Sequence, residues 1–197
     1  MKKRIIIGVS GASAVIYGIR TLEHLRDIPD VETHLILSQG ARVTIPIETR
    51  YSCQDVEKLA DVVYREDNMA AAVSSGSFRT DGMIVIPCSV KSLSGIANSY
   101  ADNLLVRAAD VCLKEKRKLI LAVRETPLHK GHLELMLKAA DLGALILPPT
   151  PAFYHHPESI EDIVDQTIGK ALDYFEIEHS LFKRWGEKSG DRSYKSD

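Results

Sequence analysis

Cysteine is scarce in this chain of 197 residues: Cys53, Cys88 and Cys112 are three in number and stand far apart. An odd, scattered set excludes a disulfide framework, so reduced thiols and a cytoplasmic setting are expected. Net charge is nearly absent as well. Twenty-five Lys and Arg against 27 Asp and Glu leave −2, which removes the electrostatic case for a nucleic-acid partner. No apolar run approaches the length of a membrane span. The basic start "MKKRIIIGV" carries an apolar stretch too short, and too soon interrupted, for a signal peptide. His129 and His132 are three apart and His155 and His156 adjacent, yet no carboxylate stands at zinc-ligand spacing beside them, so no metal is expected.

What is present is ordinary in bulk and informative in order. Hydrophobic residues make up 45% and charged residues 26%, values of a globular protein whose length suits one sizeable core. A single domain over 1–185 is expected, followed by a polar, charged tail over 186–197, "GEKSGDRSYKSD". Five apolar runs rich in β-branched residues recur: "RIIIGVS" (4–10), "THLILS" (33–38), "GMIVIPCS" (82–89), "KLILAVRE" (118–125) and "ALILPP" (144–149). They are nearly continuous rather than alternating, as in a parallel sheet covered on both faces. Helical periodicity fills the gaps: Val15–Leu25, Leu104–Cys112, Leu133–Ala140 and Ile160–Phe175 each place apolar residues on one face. Strand and helix alternation predicts a doubly wound α/β fold, three layers deep, with right-handed crossovers. The segment 48–81 is the least readable, and within it 71–80 reads as a loop packed near the first strand end. In such sheets ligands bind beyond the carboxyl ends of the strands, and every strand here ends in reactive or small polar residues.

The first such end is "SGASAV" (10–15). A phosphate-cradling loop needs small residues so that backbone N–H groups can approach, then a helix N-terminus that favours anions. Gly11 lacks a Cβ, and Ser13 is placed to cap the helix. The loop has neither the Lys of a P-loop nor the third glycine of a dinucleotide fingerprint. A plain strand-to-helix turn with a Ser cap reads as well from this stretch alone. Ser38 closing the second strand and "SVKS" (89–92) closing the third shift the balance: three small polar loops side by side form a floor for a mononucleotide, and FMN fits better than a dinucleotide. In "VRETP" (123–127), Arg124 can hold an anionic edge or phosphate and Glu125, in a region expected to be buried, can act as acid or base; a surface ion pair is the plainer alternative. Asn103, Arg107, Asp110 and Lys114 form a polar stripe on one helix, either solvated or, through Arg107 and Lys114, shared by one phosphate. Cys88 reads as a buried structural thiol rather than a nucleophile.

In this order, "SGAS", "PCSVKSLSGIA", "RAADVCLKEKRKLIL", "VRETPLH" and "PAFYHHP" resemble the UbiX-type flavin prenyltransferases, once called aromatic acid decarboxylases, over nearly the whole chain. The resemblance implies a flavodoxin-like fold and a metal-independent transfer of a dimethylallyl group from its monophosphate to N5 and C6 of reduced FMN. The product, prenylated FMN, would serve UbiD-type decarboxylases. Carried onto matching positions, Gly11, Ala12, Ser13, Ser38, Ser89, Val90, Lys91, Ser92 and Arg124 would hold FMN. Tyr154 and Lys170 would contact the prenyl phosphate, and Trp185 would wall the prenyl pocket. Glu48, Arg107, Lys114 and Glu125 would complete the phosphate and proton-transfer machinery. The family's dodecamers, with sites at subunit contacts, would explain residues drawn from distant helices. Two positions depart from the pattern. Ala14 stands where many relatives have Gly, acceptable if that residue is already helical. Lys170 stands where relatives commonly have Arg, keeping the charge but losing the bidentate fork. The alternatives are an FMN-dependent aromatic acid or peptidyl-cysteine decarboxylase, or a non-catalytic flavin carrier. The peptidyl-cysteine group's catalytic His after the first helix is missing. The chain also lacks the "DDxxD" of magnesium-dependent prenyltransferases.

Overall fold

The computed structural model describes residues 2–186, so the expected polar tail lies outside the described residues apart from Gly186. Two compact units divide the chain, one ending at Pro149 and the other starting at Thr150. The first contains six strands, Lys3–Val9 (β1), Val31–Leu37 (β2), Val62–Arg65 (β3), Gly82–Cys88 (β4), Lys118–Val123 (β5) and Leu145–Ile146 (β6). Its helices are Ile16–Arg26 (α1), Gln39–Glu48 (α2), Cys53–Glu57 (α3), Val90–Ala97 (α4), Leu104–Lys114 (α5) and Lys130–Asp141 (α6). The strands form one sheet in the order β3-β2-β1-β4-β5-β6, and every pair is parallel. The strand order reverses between β1 and β4, so the crevice of a doubly wound fold must open beyond their carboxyl ends. Without the short edge strand β3 the order is that of a flavodoxin-like sheet, the class the sequence motifs imply.

Continuous apolar runs make sense once both faces are covered. Successive residues of β1 point to opposite faces. Ile6 joins Met83, Val85, Leu93, Ile96, Leu105 and Leu121 in the core under α4 and α5. Val9 faces the other way, against Gly18 of α1. That approach is close. A Cβ on Gly18 would lie 2.5 Å from the Ile86 carbonyl oxygen and 2.7 Å from Val9 Cγ2. No side chain could stand between α1 and the sheet at that point.

The five apolar runs are strands, and the four periodic stretches are helices. One strand and two α-helices were illegible. β3 is four residues long with alternating half-buried and exposed positions, too short for a period to emerge among its charged neighbours. α2 carries Pro46 in its interior and buries only Ala41 and Ile45, leaving Val43 and Ile47 exposed, so its pattern reads against a helix. α3 is a single turn held by a capping box between Ser52 and Asp55.

The second unit is built on Ile160–Tyr174 (α7), opened by another capping box in which Ser159 and Asp162 exchange backbone bonds. Backbone N–H groups of Glu158 and Ser159 hold the Asp162 carboxyl below the usual carboxylate range. Phe182 and His179 lie over Gly169, where a Cβ would be 2.5 Å from the Phe182 ring. Asp173 accepts from Arg184 Nη1 at 2.9 Å and pairs with His179 at 3.1 Å.

Gly18→Ala should destabilise the chain by about 1–3 kcal/mol, because the contacted atom is a backbone carbonyl that cannot swing away. Urea unfolding of the variant, showing a lower midpoint at unchanged slope, is the measurement that checks this.

Candidate active site

The carboxyl ends of the strands are tied to one another by hydroxyls. Ser10, fully buried after β1, donates to the Pro87 carbonyl at 3.0 Å and accepts from the Ser89 N–H at 2.7 Å. It therefore bolts the end of β1 to the end of β4 across the point where strand order reverses. Ser38 caps α2 by accepting from Ala41 N at 3.1 Å, and Ser89 caps α4 by accepting from Ser92 N at 3.2 Å. The loops after β1 and β2 meet backbone to backbone. A Cβ on Gly11 would fall 2.7 Å from Gly40 Cα, and one on Gly40 would fall 2.9 Å from Gly11 Cα.

These loops surround a cleft of about 450 Å³, within the size range of small-molecule sites, ~300–1,000 Å³. Gly11, Ala12, Ser13, Ser38, Ser89, Val90, Lys91, Ser92, Arg124 and Glu125 all line it. Four further residues line it that the sequence did not single out as ligand-binding: Gln39, Gly40, Glu66 and Asn103. Glu66 comes from the end of β3 and accepts from Gln39 N at 2.5 Å. No periodic signal announced that strand. Asn103 was visible only as part of a helix stripe; it caps α5 by accepting from Val106 N at 3.0 Å.

The "SGASAV" loop differs from its expected shape. Ala14 is not helical; its φ is +73°, in the left-handed region that costs a residue with a Cβ roughly 1–2 kcal/mol. Nor does Ser13 cap the helix. The cap position is Val15, with no side-chain cap bond. The carboxylate of Glu48, from the end of α2, instead holds the two N–H groups just ahead of the helix. Its Oε2 accepts from Ala14 N at 2.7 Å and from Val15 N at 3.3 Å. The oxygen that holds this turn thus comes from 34 residues away, because α2 runs back from the cleft to bring its last residue beside α1.

At the end of β5, Arg124 is half-buried and its N–H donates to Cys88 O at 3.1 Å. Glu125 is exposed, and its Oε1 accepts from the neighbouring Thr126 N at 3.0 Å. The burial expected for Glu125 is not supplied by these residues. Arg107 turns to the Ser74 carbonyl at 3.1 Å and to Asp110 at 2.7 Å, while Lys114 pairs with Glu115. Neither lines the cleft. Cys88 is wholly buried, its thiol pushed up to about 12 by desolvation, as a structural thiol should be. Among the described residues no group of three or more His, Cys, Asp or Glu is arranged to hold a metal ion.

Within the second unit, Tyr154 and Trp185 meet edge to face, with ring centroids 5.9 Å apart. Gln166 donates to the Tyr154 hydroxyl at 3.4 Å. Lys170 lies over Phe182, its Nζ 5.3 Å from the ring centroid, and the Arg184 guanidinium lies 5.4 Å from the same ring.

Ala14→Gly should raise stability by about 0.5–1 kcal/mol. Relief of left-handed strain of about 1–2 kcal/mol outweighs the extra unfolded-chain entropy of Gly, roughly 0.4–1 kcal/mol. Paired denaturant melts of the two proteins check the sign. Brief alkylation of the native chain should modify half-buried Cys53 and spare Cys88 and Cys112, both buried; peptide mass mapping reads the order.

The Flavoprotein family profile matches residues 1–184. Flavin prenyltransferase UbiX of Escherichia coli strain K12 is 57% identical over 185 residues, covering 93% of this chain and 98% of that protein. The crystal structure of AnUbiX (PadA1) in complex with FMN and dimethylallyl pyrophosphate superposes with a TM-score of 0.93 at 48% identity, over 96% of this chain and 100% of the other. A dodecameric FMN-dependent UbiX-like decarboxylase from Escherichia coli O157:H7 gives 0.91 at 52% identity, over 92% and 98%. Strand-end loops, sheet order and identity along nearly the full length agree: this chain belongs to the Flavoprotein family and, within it, to the UbiX flavin prenyltransferases.

Proposed function

We propose that the protein joins a dimethylallyl group to N5 and C6 of reduced FMN, giving prenylated FMN. The observation that carries this reading is the cleft at the strand-order reversal, where three helix-opening loops, Arg124 and Glu125 converge. Its residues suit a flavin mononucleotide. The Gly11–Gly40 contact brings the loops after β1 and β2 together, and Ser13, Ser38, Ser89 and Ser92 line the cleft beside them, groups suited to a phosphate and to ring heteroatoms. Arg124 and Lys91 add two cations. Reduced FMN supplies the electron-rich N5 and C6 that accept the prenyl carbon atoms.

The chain's own groups do the rest. Tyr154 and Lys170 contact the departing phosphate as its allylic C–O bond breaks, and Arg107 and Lys114 complete the phosphate machinery, giving preorganised charge where negative charge develops. The donor in this reading is the monophosphate that the family resemblance implies, and the absence of a "DDxxD" motif is consistent with it. Tyr154 and Trp185 offer π faces to the allylic carbon as positive charge builds on it. Glu125 takes the proton lost from C6 as the ring closes, offsetting the proton that the prenyl double bond takes up in forming that bond, and Glu48 stands beside the phosphate loop. Arg107 and Lys114 reach the reaction from neighbouring copies in a dodecamer, and the same contacts bury Glu125. Residues 1–185 act as one flavoprotein domain in the cytoplasm, and a UbiD-type decarboxylase receives the product.

The similarity to the FMN-dependent UbiX-like decarboxylase of Escherichia coli O157:H7 favours a second reading, direct FMN-dependent decarboxylation of an aromatic acid. One experiment separates the two. Protein, reduced FMN and dimethylallyl monophosphate or pyrophosphate are incubated anaerobically with and without magnesium, and the flavin is analysed by mass spectrometry. A prenylated flavin from the monophosphate without metal is the expected result. Absence of any flavin adduct, with CO2 released from an aromatic acid by the protein alone, would sink the prenyltransferase reading. Glu125→Gln should keep FMN affinity within about threefold but slow product formation by roughly 10²–10⁴-fold, the usual worth of a positioned acid–base group.

A further inference from the structure

The loop that opens the flavin cleft is held by two features that depend on each other. Ala14 sits at φ +73°, where a Cβ is strained and Gly is not. Its N–H, together with that of Val15, points at one oxygen of Glu48, 2.7 and 3.3 Å away. The helix has no side-chain cap of its own: the cap position is Val15, with no cap bond. Glu48 is itself the last residue of α2, whose first residues, Gln39 and Gly40, line the same cleft. Gly40 also presses on Gly11 at the start of the loop. The loop is thus clasped at both ends by α2, by backbone contact at Gly11 and by a carboxylate at Ala14.

We infer that Glu48 is a positioning residue that compensates the strain of Ala14, keeping "SGASAV" in its ligand-binding shape before flavin arrives. A carboxylate accepting from a main-chain N–H is a charge-assisted bond, stronger than a neutral one. It stands where the α1 dipole favours negative charge. Without that bond, an Ala at this position relaxes toward negative φ, the N–H groups turn, and only a fraction of the chains present the cradle. Apparent affinity falls by that fraction. In an Ala14→Gly chain the left-handed conformation carries no such penalty, so the bond matters less. The two residues should therefore be coupled, and Glu48 should count for more in this chain than beside a glycine.

The inference rests on the cleft being the flavin site, and the test has an arm that does not. FMN affinity is measured by flavin fluorescence for the native chain, Glu48→Ala, Ala14→Gly and the double variant. Glu48→Ala should weaken binding about tenfold in the native background but no more than about threefold in the Ala14→Gly background, a difference that reports the energetic coupling of the pair. In the flavin-free protein, hydrogen exchange of the segment containing the Ala14 and Val15 amides should speed at least about tenfold in Glu48→Ala, with a smaller change when Ala14→Gly is also present. Equal loss of affinity in both backgrounds would overturn the inference, as would exchange indifferent to Glu48. If no variant binds FMN and neither does the native chain, the flavin reading fails while the exchange arm still judges the clasp. Should Glu48→Ala not fold, the same cycle with Glu48→Gln, which keeps one acceptor oxygen but loses the charge, should show coupling of the same sign and smaller size.

Discussion

The backbone contact between Gly11 and Gly40 is the constraint on which the site depends. With any Cβ there the loops after β1 and β2 would be forced apart, since the added carbon would sit 2.7–2.9 Å from the opposing Cα. Because they touch, the openings of α1 and α2 stand side by side, and their partial positive charges overlap in one small volume. Ser10 brings the third opening, that of α4, into the same place by joining the ends of β1 and β4. The cleft is therefore a meeting of helix ends rather than a hollow in the core. A mononucleotide with one phosphate needs no P-loop lysine and no dinucleotide glycine when several N-termini share the task.

Two of those helix ends already carry a carboxylate. Glu48 accepts from the first N–H groups ahead of α1, and Glu66 from Gln39 at the start of α2. Each satisfies donors that would otherwise lack a partner, and each places negative charge beside a cleft suited to an anion. Lys91 and Arg124 balance them within the same lining. The result is a site with preformed donors and mixed charge, consistent with a ligand that has an anionic end and a largely neutral ring.

How legible the site was depends on how local its signals are. Gly11, Ser13, Ser38, Ser89 and Arg124 stood out because each follows directly on an apolar strand, and a parallel sheet leaves only strand ends for ligands. Gln39 and Gly40 stood in a strand end that the sequence marked, "SQGA", but were not assigned to the ligand, because α2 hides behind Pro46 and exposed Val43 and Ile47. Glu66 escaped because β3 is an edge strand of four residues. Arg107 and Lys114 share a helix stripe yet take different partners in this chain, Ser74 and Asp110 for one and Glu115 for the other. Spacing on a helix establishes which residues share a face; it does not establish what that face meets.

By itself the sequence determined the α/β class, the five principal strands, the order of small polar strand ends and the family. All of these follow from residues adjacent or periodic along the chain, where hydrophobic period and turn chemistry act locally. The tertiary structure alone decided that Ala14 is left-handed rather than helical and that its N–H meets Glu48. The sign of φ at an alanine is set by what surrounds the backbone, not by the alanine. The surroundings here are a carboxylate and a glycine pair brought together by a sheet whose neighbours in space are not neighbours in sequence.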